Sequence, residues 1–398
     1  MRSSAGLVVL GATGSIGASA LDVAGEMPDR IEVVGLSCRT SWRELAELAR
    51  RWRPRVVAIA DEAAWREARD AGAFGAEVRL LGGPGAPSEL AAIDEADTVL
   101  NGIVGAAGLG ATLAALEAGK RVALANKESL VVGGDLVVAA AGGGNLQESG
   151  RLLPVDSEHN AIWQLLAGRP RDEVRRVVLT ASGGPFREVP AEGLARVTPE
   201  EALAHPTWDM GPKITIDSAT LANKGLEVIE AHHLFGLPYD RVDVLVHPQS
   251  IVHGLVEWRD GALFAELGEP DMRAPIRSAL AWPERVDGPP AADLADLAPL
   301  TFERPDLERF PALALARAAG ESGGTAPAVF NAANEVAVEL FLERRIAFPD
   351  IAGLCGLVLE AHESHPVDSL SILLDSDRWA REETRRLAAH GARSTPRA

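Results

Sequence analysis

The chain of 398 residues has only two cysteines, Cys38 and Cys355. Two thiols cannot build a disulfide framework or a thiolate zinc centre, and such sparing use fits a reducing cytoplasm. Positive charge is also scarce: 39 lysines and arginines face 57 aspartates and glutamates, for a formal charge of −18. That balance argues against a nucleic-acid or anionic-membrane surface, while leaving room for a local basic pocket. Unbroken apolar runs of membrane-spanning length are missing too. Residues 98–116 (TVLNGIVGAAGLGATLAAL) come nearest, but Asn101, four glycines and two threonines interrupt them, and they parse as strand, glycine turn and helix. The opening MRSSAGLVVLGA leads straight into GATGSIG with no cleavage site, so it reads as a first strand rather than a signal peptide. With 47% hydrophobic and 24% charged residues, the composition is globular, and the length implies two or three domains.

Within the first 150 residues, β-like runs recur at 7–10, 31–37, 56–59, 78–81, 98–104 and 121–126. Helix-period stretches such as SWRELAELARRW and LGATLAALEAG separate them. Strands alternating with helices at this spacing predict an α/β fold with a parallel, doubly wound sheet. The first strand runs into GATGSIG (11–17) and then a helical stretch. Glycines there allow a tight turn and close approach of a pyrophosphate, and the helix N-terminus supplies N–H groups and a positive dipole. The same pattern serves a purely structural turn, but its place after the first strand favours dinucleotide binding. After the second strand stand Arg39, Thr40 and Ser41 rather than a carboxylate. A cation with two hydroxyls suits a 2′-phosphate and favours NADPH, although Arg39 also reads as a solvated loop residue.

Polar residues crowd the middle of the chain. In LLPVDSEHNAIWQLL (152–166), Asp156, Ser157 and Glu158 lie between a strand-like and a helix-like run. They read equally as a helix cap with an acidic first turn or as half of a metal site. VRRVVLTASGGPFRE (174–188) reads as a strand delivering Ser182 into a Gly-Gly-Pro turn, which can present a hydroxyl to an anion or, as the local sequence favours, be an ordinary loop. In 205–236, KITID reads as a strand and a helix is expected from about Asp217, with Ser218 near its N-terminus. That helix would carry Asn223, Lys224 and Glu227 on neighbouring turns. Asp156, Glu158 and Glu227 together offer three oxygen ligands, suited to Mg²⁺ or Mn²⁺ rather than zinc. Segment 205–212 (HPTWDMGP) has too few periodic apolar positions for a fixed element, yet it carries Trp208 and Met210. A lid that packs Trp208 over bound ligand, with His205 at its hinge, reconciles the two. VHPQSIVHGLVEW (246–258) alternates like strands, with Asp260-Gly261 as a hairpin turn.

GATGSIG, LANKES (124–129), PVDSEHNAIWQ, TASGGPFR, HPTWDMG with KITIDSATLANKGLE, VHPQSIVHG and NAANEVAV (331–338) stand in the order found in one enzyme family. By these segments the chain resembles the 1-deoxy-D-xylulose 5-phosphate reductoisomerase family over nearly its whole length. A homoserine- or aspartate-semialdehyde-type dehydrogenase lacks the Asp-Ser-Glu segment and the NKGLE helix, and a non-catalytic NADPH sensor has no need of these ligands. The resemblance implies NADPH- and metal-dependent conversion of 1-deoxy-D-xylulose 5-phosphate to 2-C-methyl-D-erythritol 4-phosphate, with Mg²⁺, Mn²⁺ or Co²⁺ as the cation. It also implies a cytoplasmic homodimer paired through the sheet of the central domain.

By position, the resemblance implies metal ligands at Asp156, Glu158 and Glu227, and a catalytic set of Lys127, Glu158 and His205. Lys127, Ser157 and Trp208 would contact the substrate, the first two along its backbone. Ser182, Ser218, Asn223 and Lys224 would hold its phosphate. Glu158, His205 and Glu227 would also face the substrate. Thr13, Gly14, Ser15, Ile16, Asn126, Glu128 and Gly211 would meet NADPH, joined by Arg39, Thr40 and Ser41. Three positions depart from the family pattern: Arg39-Thr40-Ser41 replaces a Gly-Lys-Asn-like turn, Pro212 follows Gly211, and Ala222 stands where methionine is common. The expected domains are 1–153 for NADPH, 154–282 for catalysis, metal and dimerisation, a linker at 283–308, and a helical domain over 309–398, whose tail after residue 389 is expected to be disordered.

Overall fold

Seven short apolar runs pair into one parallel sheet: β1 (Ala5–Leu10), β2 (Ile31–Cys38), β3 (Val56–Ile59), β4 (Arg79–Gly82), β5 (Thr98–Asn101), β6 (Arg121–Leu124) and β7 (Leu152–Pro154). This is a computed structural model describing residues 4–391, apart from Asn145, Asp209, Ala292 and Ala298. The tail from residue 392, and Asp209 of the expected lid, therefore lie outside the described residues. The strands are continuous apolar runs because helices cover the sheet, leaving β1 from Leu7 to Leu10 almost without solvent contact. Their order, β4-β3-β2-β1-β5-β6-β7, reverses direction between β1 and β5. That reversal is where α/β sheets open a crevice at their carboxyl ends. The run expected to continue to residue 104 leaves the sheet after Asn101, whose side chain turns back to hydrogen-bond the Gly108 carbonyl and Thr112.

The chain forms two compact units. The first holds the residues up to Ser129, Val137–Asn160 and Asp271–Pro289; the second holds Leu130–Leu136, Ala161–Pro270 and the residues from Pro290 onward. The sheet accounts for the first unit's extent. β7 is its outermost strand, so Asp156, Ser157 and Glu158 stay with the sheet beyond the expected boundary at 153. The helix Arg273–Ala281 belongs to this unit as well. It is held by an Arg277–Glu26 ion pair and followed by a hydrogen bond from Arg121 to the Trp282 carbonyl.

In the second unit, β8 (Val174–Ala181), β9 (Val242–Val246), β10 (Val252–Trp258) and β11 (Leu263–Leu267) form a mixed sheet in the order β11-β10-β8-β9. The β10–β11 hairpin turns at Asp260-Gly261, where Gly261 has φ +89° and the Asp260 carboxylate accepts the Ala262 N–H. Helices pack together around Leu226, Ile229, Phe330 and a set of alanines. A Cβ on Gly225 would lie 2.5 Å from that of Ala316, so the helix Ala222–Phe235 and the helix Ala312–Ser322 touch through their smallest residues. The far end of the expected linker is tied down: Val246 and Glu303 exchange two backbone hydrogen bonds of 2.9 Å. Among the described residues, no helix is long and apolar enough to cross a membrane.

One expected strand is a helix. KITID lies in Pro212–Thr220, which ends at Leu221 in the left-handed region (φ 61°) before Ala222–Phe235 begins. Alternation in a five-residue run also satisfies helical spacing: Lys213 and Asp217, four apart, form a 2.8 Å ion pair. Gly211 as N-cap and Pro212 at the first position start the helix there, since proline's missing N–H costs nothing at that place.

Candidate active site

Parallel strands present their carboxyl ends on one edge, and the first unit's polar residues gather there. At the end of β1 the chain turns at Gly11, with φ +76°. The turn is stitched to β2 by hydrogen bonds from the Gly11 N–H to the Ser37 hydroxyl and from the Ala12 N–H to the Ser37 carbonyl. A Cβ on Gly17 would stand 2.4 Å from the Gly11 oxygen, so the helix Ser15–Glu26 can pack this closely only with glycine there. Gly14 and Ser15, at the N-terminus of that helix, are exposed; Thr13 and Ile16 are half-buried. Arg39, Thr40 and Ser41 are exposed at the end of β2, the strand beside β1. Asn126 and Glu128 are buried, and the Asn126 amide donates to the carbonyls of Ile103 and Gly105 and to Glu128. They thereby brace the loop after β5.

Lys127 follows β6 and Asp156 follows β7, and these strands are neighbours. The Lys127 Nζ lies 2.5 Å from Asp156 Oδ2, and the His159 Nδ1 lies 3.5 Å from Asp156 Oδ1, with all three side chains buried. Burial alone would raise the Asp156 pKa, but the Lys127 charge and the neighbouring His159 imidazole outweigh it and hold the carboxyl well below the usual carboxylate range. This carboxylate is committed to a cation and an imidazole, which goes beyond a plain cap, although the Asp156 carbonyl does accept the first helical N–H from Asn160. Ser157 and Glu158 open the helix Ser157–Leu166, and the Ser157 hydroxyl donates to Glu158 at 2.7 Å.

A second polar cluster lies within the second unit. β8 ends at Ala181, and Ser182 is followed by Gly183 (φ +85°) and Gly184 (φ +66°). A Cβ on Gly184 would fall 2.8 Å from the Ala219 Cα, so the glycine lets this turn rest on the end of Pro212–Thr220. Ser182 and Ser218 thus come together. His205 Nε2 stands 2.9 Å from the Ser182 hydroxyl and 3.2 Å from that of Ser218. Its Nδ1 accepts the N–H groups of Thr207 and Trp208, which leaves the proton on Nε2 to donate to the serines. Burial lowers the His205 pKa, favouring this neutral form.

Ser218 occupies the last turn of Pro212–Thr220, not the N-terminus expected of it. The N-terminus beside it belongs to Ala222–Phe235, whose first turn carries Asn223 and Lys224. The Lys224 Nζ meets Glu227 Oε2 at 2.6 Å, and the Asn223 amide donates to Glu227 Oε1. Trp208 is half-buried, its ring 6.4 Å from that of His253. Gly211 is exposed.

The family models for 1-deoxy-D-xylulose 5-phosphate reductoisomerase match residues 7–134, and those for its C-terminal domains match 152–235 and 267–383. The enzyme of that name from Chlorobaculum tepidum is 52% identical over 383 residues, covering 96% of this chain and 99% of its own. The chain belongs to the 1-deoxy-D-xylulose 5-phosphate reductoisomerase family. The Anaeromyxobacter dehalogenans (strain 2CP-1) enzyme is 54% identical over 386 residues, covering 96% of this chain and 97% of its own. The Zymomonas mobilis reductoisomerase in complex with NADPH superposes with a TM-score of 0.88 at 46% identity, covering 97% of this chain and 99% of the other. A DOX-P reductoisomerase in complex with NADPH, fosmidomycin and magnesium superposes at 0.89 with 40% identity, covering 97% and 98%.

Family membership leaves some residues for the tertiary structure to reveal. His159 stands out only once Asp156 is seen beside it, although its i+3 spacing from Asp156 at a helix start is a usable signal. Asp217 is buried, bonded to Lys213 and, at 2.7 Å, to the Asn334 amide on the helix Ala326–Leu342, so it anchors the segment that bears Ser218. His247 proves structural: its nitrogens meet the Thr301 carbonyl and the Ile251 N–H, and its ring stacks on Phe302.

The Lys127–Asp156 pair makes a direct prediction. Lys127→Met strands a buried carboxylate and should cost about 3–5 kcal/mol. Adding Asp156→Asn should restore part of that loss in urea unfolding, whereas additive losses in the double variant would mean that the pair is not coupled.

Proposed function

We infer that this chain rearranges and reduces 1-deoxy-D-xylulose 5-phosphate to 2-C-methyl-D-erythritol 4-phosphate with NADPH and a divalent cation, a step of the non-mevalonate isoprenoid route. The observation that carries this is a set of reductoisomerase relatives more than half identical along nearly the whole chain. The chain's own residues fit both groups. A Cβ on Gly14 would meet only the Gly11 oxygen, at 3.4 Å, which leaves the helix N-terminus open to a pyrophosphate. Thr13, Gly14, Ser15 and Ile16 serve NADPH there, Arg39, Thr40 and Ser41 its 2′-phosphate, with Asn126, Glu128 and Gly211 as further cofactor residues. Asp156, Glu158 and Glu227 are our proposed ligands for the cation, because carboxylate oxygens suit Mg²⁺, with Mn²⁺ or Co²⁺ as substitutes. When bound, the cation polarises the substrate carbonyl and acidifies a hydroxyl, and NADPH supplies the hydride that reduces the rearranged aldehyde.

The remaining work falls to side chains. Lys127 keeps Asp156 ionised and, with Ser157, meets the substrate backbone. The hydroxyls of Ser182 and Ser218, aimed by His205, bind the phosphate together with Asn223 and Lys224. Binding energy spent on that remote phosphate orients the reacting end. His205 and Trp208 belong to the segment that closes over substrate and excludes water. Asp156→Asn should abolish NADPH oxidation driven by 1-deoxy-D-xylulose 5-phosphate, as EDTA does in the wild type, while NADPH fluorescence titration stays nearly unchanged. Undiminished turnover at limiting Mg²⁺ would remove Asp156 from the site.

Cofactor choice rests on the turn after β2. Arg39→Ala removes a charge-assisted contact worth about 1.5–3 kcal/mol. The NADPH-over-NADH ratio of kcat/KM should therefore shrink roughly ten- to a hundredfold. Equal use of both cofactors by the wild type would sink the assignment.

We also propose a cytoplasmic homodimer formed through the second sheet. In support, β11 is an edge strand whose exposed apolar side chains, Leu263 and Leu267 on one face and Phe264 on the other, suit pairing with a second copy. Cys38 and Cys355 are free and buried, in keeping with a reducing compartment. Light scattering should give twice the chain mass of 41.9 kDa. Phe264→Lys should shift it towards the single chain, and a monomeric wild type would overturn the proposal.

A further inference from the structure

The second unit holds a cleft of about 760 Å³ that none of the residues above enters. The helix Phe348–Ala361 and the helix Leu370–Gly391 supply apolar walls through Leu354, Leu357 and Leu387, and Ile346 adds to them. Leu357 is half exposed, so this lining faces solvent rather than closing on itself. Arg344 and Arg345 line the same cleft. Its size is that of a small-molecule site.

Two residues of this cleft defy local preference. The helix Ala326–Leu342 ends in a paired cap, with the Arg344 N–H bonded to the Phe341 carbonyl and the Arg345 N–H to the Leu340 carbonyl. Arg344 has φ +58° at the position where such caps take glycine, because an L side chain is strained there. Glycine appears instead at 353, inside the helix Phe348–Ala361, where it weakens a helix. A Cβ on Gly353 would meet nothing within 4 Å, so packing does not require glycine there; its small size keeps the cleft open. Arginine in a glycine's conformation and glycine in a helix interior both line one cavity. Local rules broken together at one place mark function more often than chance.

Two of the lining side chains, Arg344 and Arg345, are cationic and one, Asp350, is anionic. Arg344 pairs with Glu200, and Arg345 lies 3.2 Å from Glu343, but all four side chains are exposed and such pairs exchange readily. Asp350, also on the lining, is engaged by the Ala347 N–H at 2.8 Å. We propose that this cleft is a binding site for a small amphipathic anion. A phosphate or carboxylate head is held by Arg344 and Arg345, and an alkyl tail lies against Leu354, Leu357 and Leu387.

Isothermal titration of the full chain with decyl phosphate, below its micellar concentration, tests this. Saturable binding is expected, about tenfold or more tighter than for decanol or inorganic phosphate; decanoate, compared in parallel, tells whether a carboxylate head serves as well. Arg344→Gly with Arg345→Ala should weaken decyl phosphate about tenfold or more without lowering Tm, since Arg344→Gly relieves the cap. Gly353→Leu should fill the cleft and abolish binding, again with Tm unchanged or raised. No saturable binding, equal binding of decanol or inorganic phosphate, or affinity unchanged in Gly353→Leu would each overturn the proposal.

Discussion

Every strand pair in the first unit is parallel, and that constraint organises its chemistry. Parallel strands must all leave the sheet on one edge, so four separate loops deliver polar groups to that edge: the glycine turn after β1, Arg39 after β2, Lys127 after β6 and Asp156 after β7. The strands themselves carry no chemistry. Their burial on both faces provides the rigid base against which a lysine and an aspartate can be held 2.5 Å apart out of water. An ion pair so buried adds little net stability, because the desolvation of both charges offsets their attraction.

The second unit reaches a similar end by different means. Its cluster of hydroxyls, imidazole and amide depends on close backbone approach at Gly184 and on a helix break at Leu221. The break separates two helices that a continuous reading would fuse. It places Ser218 at the end of one and Asn223 and Lys224 at the start of the next, so hydroxyls and N-terminal dipole fall side by side. His205 then works through its tautomer: two backbone N–H groups on Nδ1 leave Nε2 as the donor. Asp217 ties the segment back to the helical core through Asn334.

Much of this was legible in the residues. Strand runs, the helix after GATGSIG, the Asp260-Gly261 hairpin and the helical C-terminal region follow from periodicity and glycine placement, because these are local preferences written over consecutive positions. Family membership followed from long ordered segments. KITID reads as a strand although it is helical, because five residues satisfy both a period of two and an i,i+4 pair, and Pro212 decides between them only as a helix start. The same ambiguity puts Ser218 at a helix start in the sequence and at a helix end in the structure.

Sequence alone determined the parallel α/β class, the glycine turn at a helix start and the residue types available for oxygen ligation and phosphate binding. It also held both odd residues, Arg344 and Gly353, without any sign that they line one cleft. Tertiary structure decided that Asp156 meets Lys127 and His159 rather than merely capping a helix, that β7 keeps residues 156–158 with the first unit, and that His205 aims two serines thirty-six positions apart. The physical reason is range. Propensity and capping act over a few residues, whereas a buried charge is fixed by whichever partner the sheet order brings beside it.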